Sequence, residues 1–109
     1  MAQASMSNIC CYLLTSESTE NTYVGYTTDI GNRLLAHNGE KSGGALATHM
    51  NRPWKIKMLV TGFTSQRQAR QLEFQWKRSS KSRHFPAREK RIHELLLTDK
   101  FENLILHEY

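Results

Sequence analysis

Residues 22–39 read TYVGYTTDIGNRLLAHNG, and where this stretch divides decides the fold. Tyr23-Val24-Gly25-Tyr26 is dense in aromatic and β-branched side chains, which suit a pleated, half-buried surface. Thr27-Thr28-Asp29 carries side-chain oxygens able to accept from the free N–H groups of a helix's first turn. From Ile30 the pattern is helical, and Asn38-Gly39 supplies a C-terminal stop. A strand therefore runs almost directly into a short helix. Arg33 and His37 share one face of that helix and flank Leu34, on or near the side that must pack. Packing alone is a poor reason for two such polar side chains, and chemistry is a better one.

Outward from this stretch, residues 9–14 (ICCYLL) form a preceding strand, and the polar run SESTEN, residues 16–21, closes the two into a hairpin. Gly39 to Pro53 is too glycine-rich for a regular element; its Gly43-Gly44 pair allows a close backbone approach to a strand, or simply a turn. Trp54 to Phe63 reads as a third strand. Ser65 can cap a second helix to about Arg78, with Ala69, Leu72 and Trp76 as its apolar stripe and Glu73 set inside it. RSSKSR, residues 78–83, breaks the pattern. Pro86 then suits the first turn of a third helix, to about Thr98, packed through Ile92, Leu95 and Leu96. Phe101 to Tyr109 fits either a short strand or a helix end.

The chain has 109 residues, room for one domain with a modest core. The pattern predicts an N-terminal tail over residues 1–8, the domain over 9–98, and an extension of the same domain over 99–109. A net charge of +5 and a pI near 9.5 favour polyanionic partners. No apolar run approaches a membrane span, and Met1 to Ser7 lacks the regions of a signal peptide, so an intracellular protein with no membrane partner is expected. The only cysteines, Cys10 and Cys11, are neighbours pointing to opposite faces of a strand. They suit neither a mutual disulfide nor a zinc site.

Glu73 is the most informative single residue. A carboxylate at the core boundary needs a partner or a metal ion. A structural salt bridge with Arg33 would satisfy it. Aligned in the hairpin, Tyr12 and Tyr23 would flank one cleft with Arg33, His37 and Glu73. That set contains the parts for phosphodiester hydrolysis: a metal ligand in Glu73, a phosphate clamp in Arg33, and a proton acceptor among the tyrosines and His37.

Cys11-Tyr12-Leu13, Tyr23-Val24-Gly25, Arg33, His37 and Glu73 together resemble the two motifs and the catalytic residues of the GIY-YIG endonucleases. The ordered stretches CYLL, YVGYTTDIGNRLLAHNGEKSGGA, RPW, GF and LEFQW are most similar to the nuclease domain of the eukaryotic Slx-type structure-selective subgroup. The resemblance covers about residues 9 to 80. It implies an α+β fold, a small central antiparallel three-stranded sheet flanked by helices, and cleavage of branched or flapped DNA with Mg2+ or Mn2+. Tyr12 and Tyr23 would position or deprotonate the attacking water and Arg33 would stabilise the transition state. His37 would assist proton transfer or contact phosphate, and Glu73 would bind the metal.

Two departures stand out. The first motif keeps its tyrosine but not its glycine and isoleucine, and an asparagine common after the glutamate has no match. The subgroup also carries a cysteine-rich zinc domain that binds a scaffold subunit. With no such domain here, a scaffold is not implied, and a homodimer is left open. Lys41, Arg52, Lys55, Lys77 and Arg78, with Lys81, Arg83 and Arg88, are the candidate DNA-binding cations. The competing expectation is a non-catalytic nucleic-acid-binding module on the same fold.

Overall fold

The computed structural model describes residues 8–79 and 82–109, so residues 1–7 of the expected N-terminal tail, and Lys81, lie outside the described residues. The elements run β1 (Cys10–Ser16), β2 (Thr22–Thr27), α1 (Ile30–His37), β3 (Trp54–Thr61), α2 (Gln66–Ser79), α3 (Phe85–Leu95) and β4 (Ile105–Glu108). A short 3-10 turn, Leu46–Thr48, interrupts the glycine-rich loop. The sheet is antiparallel with the order β2-β1-β3-β4. The expected three strands are therefore four. The tail that fitted two structures becomes an edge strand, pairing Ile105 to Glu108 with Thr61 to Met58.

The caps work as their chemistry predicts. The Asp29 carboxylate accepts from the Asn32 backbone N–H at 3.2 Å, and the Ser65 hydroxyl accepts from Gln68 N–H at 3.1 Å.

Alternation along the strands divides the side chains between two faces. Cys11, Leu13, Val24, Met58 and Val60 meet Ala69, Leu72 and Trp76 of α2 and Ile92 and Leu95 of α3 in one continuous apolar core. On the opposite face Tyr12, Leu14 and Trp54 are buried with Tyr23, Ile30 and Leu34 against them. The register places Tyr12 opposite Gly25 and Leu14 opposite Tyr23, which puts both tyrosines on this second face. Gly25 is required there, because a Cβ at that position would lie 2.5 Å from the Tyr12 hydroxyl. The tyrosine ring crosses the strand where β2 has no side chain.

The Gly43-Gly44 pair permits a close approach, but to α1 rather than to a strand. A Cβ on Gly44 would collide with the Ala36 carbonyl oxygen, so the loop backbone lies directly on the helix's last turn. Asn38 then ties that turn to β3: its amide donates to Trp54 O at 2.9 Å and its oxygen accepts from Trp54 N–H at 2.6 Å.

Candidate active site

Tyr12, Tyr23 and His37 form a triangle on the second face. Ring centroids lie 6.3 Å apart for the two tyrosines, 5.7 Å for Tyr12 and His37, and 4.8 Å for Tyr23 and His37. His37 is 0% exposed, at the end of α1 under the loop. Its Nε2 is 2.8 Å from the Tyr12 hydroxyl and its Nδ1 is 2.9 Å from Thr48 Oγ1.

The directions of these bonds follow from the end of the chain. The Thr48 hydroxyl donates to the Ala45 carbonyl at 2.8 Å, so toward His37 it accepts. Nδ1 then carries the imidazole proton and Nε2 is an acceptor. The Tyr12 O–H consequently donates to Nε2. Burial, with Arg33, Arg52 and Lys77 nearby, lowers the His37 pKa to about 4 and keeps the ring neutral, as this arrangement requires.

Burial also pushes the Tyr12 phenol above its ordinary range, with the Arg33 guanidinium opposing the shift and the Tyr23 and Glu73 charges adding to it. Tyr12 is thus a protonated phenol whose proton already points at a base.

Arg33 is half-buried on α1 and donates to the Gly43 carbonyl at 2.7 Å. Glu73 does not pair with Arg33; its carboxylate lies 3.6 Å from Lys77 Nζ, one turn along α2. Because α2 packs against β2 and β1, these two side chains reach past the edge strand, and Lys77 Nζ stands 4.7 Å from the Tyr23 ring centroid. The fold thereby brings Tyr12, Tyr23 and His37 together on the second face, with Arg33 and Glu73 close enough to act electrostatically on Tyr12.

Glu73 fits a magnesium-type ion better than a zinc-type one. Its side chain is 24% exposed, and it belongs to no three-residue His, Cys, Asp or Glu group of metal-holding geometry among the described residues. One carboxylate completed by water and substrate oxygens is ordinary for Mg2+. The one such group, Glu89, His93 and Glu108, sits on α3 and β4.

The candidate DNA-binding cations divide. Lys77 stands in the site. Arg52 is half-buried and donates from Nε to His37 O at 2.7 Å, so it braces the helix end. Arg78 lies over the Phe74 ring on the outer side of α2, Lys41 reaches Asn32 Oδ1 at 3.3 Å, and Lys55 is exposed on β3.

Thr48 escaped sequence reasoning, since nothing local in a glycine-rich loop marks the threonine that meets His37. Arg88 was read as a surface cation, yet it is 4% exposed. Its helical register with Ile92 and Leu95 was a legible sign of burial.

The GIY-YIG catalytic domain family model matches residues 8–88. Among curated proteins, the chain is 46% identical over 81 residues to "Structure-specific endonuclease subunit SLX1" of Cryptococcus neoformans, covering 72% of this chain and 17% of that protein. It is 39% identical over 98 residues to the protein of the same name in Schizosaccharomyces japonicus, covering 88% and 35%. For that of Schizosaccharomyces pombe the figures are 44% over 78 residues, 69% and 29%. The chain thus spans between about a sixth and about a third of the length of these relatives.

Proposed function

The chain belongs to the GIY-YIG catalytic-domain family, and from that premise we propose that it is a metal-dependent endonuclease hydrolysing phosphodiester bonds in branched or flapped DNA. The observation that carries this reading is the directed chain from Tyr12 through His37 to Thr48, beside Arg33 and Glu73. A binding module has no use for a buried neutral imidazole that draws on a tyrosine proton.

Tyr12 donates its hydrogen bond to Nε2, so its oxygen can accept, from Arg33 and from a water placed for in-line attack. As the water oxygen bonds to phosphorus and the P–O bond to the leaving oxygen breaks, the water's proton passes to the Tyr12 oxygen and the tyrosine proton passes to His37. Thr48 holds the resulting imidazolium through Nδ1–H. His37, fully buried, acts through Tyr12 and does not touch phosphate. Arg33 clamps the non-bridging oxygens as their charge grows. Glu73 would hold the divalent ion, Mg2+ or Mn2+, which when bound would stabilise charge on the phosphate and the leaving oxygen.

The relatives' names describe a subunit that is structure-specific. We extend both features to this protein: DNA selected by shape, in repair or recombination, and a partner subunit. The expectation that no scaffold is implied rested on where the sequence ends and lapses with it, and no feature of the described residues favours a homodimer.

The test is cleavage of flap, Holliday-junction and linear duplex DNA by the wild type and Glu73→Ala, with magnesium, manganese or EDTA. Metal-dependent cutting of branched substrates, lost in a folded Glu73→Ala that still binds DNA, is expected. Binding without cutting under every metal condition would leave a nucleic-acid-binding module.

A further inference from the structure

Beside this site the structure holds a buried cation that no carboxylate among the described residues pairs with. Arg88, in the first turns of α3, is 4% exposed, and its Nε and Nη1 have no hydrogen-bond partner. The ion pairs among the described residues, Lys77–Glu73 and Arg91–Glu94, do not include it. Burial and the neighbouring Arg83 lower its pKa, but a guanidinium does not deprotonate in a protein. Buried charges are ordinarily paired. Here the pairing is missing.

Arg88 is one of the residues lining a cavity of about 380 Å3, whose wall also includes Asn21, Thr22, Tyr23, Lys77 and Arg83. Among the described residues three cations line it and no carboxylate does. Its wall is held in place: Trp76 Nε1 donates to the Arg88 carbonyl at 2.9 Å, the Thr22 hydroxyl donates to the Arg83 carbonyl, and Asn21 bridges to His84. Tyr23 and Lys77 belong both to this cavity and to the candidate active site, so the two are continuous.

We propose that this cavity is a phosphate subsite, taking a backbone phosphate that flanks the bond to be cut. The strand assignment rests on the nuclease reading; the phosphate chemistry does not. The cavity exceeds a phosphate group in volume, leaving room for part of the attached sugar. A planar guanidinium matches phosphate oxygens, and Arg83 and Lys77 add charge. A small rotation of the Arg88 side chain would turn its two unused donors from cover toward the cavity. A strand seated on Arg88 would pass Tyr23 and reach Tyr12.

Arg88→Met keeps the length and apolar body of the side chain and removes its charge. Inorganic phosphate and the 5′-phosphorylated dinucleotide pTpT would be titrated into wild type and variant at fixed ionic strength, followed by amide chemical shifts. Branched DNA binding would be measured across a salt series, and cleavage at several substrate concentrations. Expected are binding of both phosphate probes by the wild type and its loss in Arg88→Met. DNA affinity should fall about tenfold, the salt slope by about one, and KM should rise more than kcat falls. Should Arg88→Met not fold, Arg83→Gln, at an exposed position, is expected to weaken the same binding in part.

No phosphate or pTpT binding by the wild type, or unchanged binding in folded Arg88→Met, would overturn the subsite. Arg88-dependent phosphate binding with unchanged DNA affinity would overturn its assignment to the strand. A wild type that binds phosphate through Arg88 but cuts nothing would refute the nuclease reading and keep the phosphate site.

Discussion

His37 and Arg88 are both buried in a small basic domain, yet their surroundings are opposite. At the end of α1, His37 has a partner on each ring nitrogen and is held neutral. At the start of α3, Arg88 has two donors without partners and cannot shed its charge. Burial is the same, so burial does not tell what either residue is for. The partners do. A fully satisfied polar chain specifies one arrangement of its members, here a proton aimed from Tyr12 toward Nε2. An unsatisfied cation beside an acid-free cavity is, on the subsite proposal, a half-made interaction for a phosphate to complete.

The largest effect should come from breaking the satisfied side. Tyr12→Phe removes the hydroxyl that the proposed mechanism places between the attacking water and His37, and kcat should fall about 10²–10⁴-fold. The same change leaves a buried Nε2 without a donor, at about 1–3 kcal/mol of stability. Single-turnover cleavage and urea unfolding of the same preparation separate the two.

Acid should come next. The His37 pKa is about 4 in the folded protein against 6.5 unfolded, so the unfolded chain takes up its proton first as the pH falls. The contribution of His37 to stability is complete above about pH 6.5 and is lost as the pH falls toward 4. The slope in that window is at most about 1.4 kcal/mol per pH unit. Urea midpoints at pH 7.5, 5.5 and 4.5 should decline accordingly, and His37→Gln should remove its share of the slope.

Thr48→Val takes away the acceptor of Nδ1–H while keeping the shape. A loss of about 1–2 kcal/mol of stability is expected, with Thr48→Ser restoring most of it. If the threonine orients the imidazole during cleavage, kcat should drop for valine and recover for serine with KM unchanged.

The smallest effect belongs to the unsatisfied side. Thermal unfolding of Arg88→Met in phosphate-free buffer should give a midpoint equal to or above the wild type's, because an unpaired charge is replaced by an apolar chain. A large fall in midpoint would mean that Arg88 is a structural residue, and the contrast with His37 would collapse.

Much of this molecule was legible before its structure. The segment from Thr22 to Gly39 states its own strand, cap and helix, and the structure has them at Thr22–Thr27 and Ile30–His37. The fourth strand was not legible, because FENLILHEY pairs over only four residues and owes its shape to the edge of β3. The tyrosines, Arg33, His37 and Glu73 could be named from the sequence. The directed bonds between them could not, since Thr48 meets His37 only after the Gly44 backbone settles on α1. Arg88 shows the converse failure: its register with two buried aliphatic residues outweighed the presumption that an arginine faces water.

The proton arrangement at His37 can be observed directly by long-range ¹⁵N–¹H correlation spectra of histidine-labelled protein from pH 7.5 down to 4.5. The account predicts a neutral ring protonated on Nδ1, with an unprotonated, hydrogen-bonded Nε2, and no titration until the pH approaches 4. An Nε2-protonated ring, or a midpoint near 6.5, would contradict it and remove His37 as the acceptor of the Tyr12 proton.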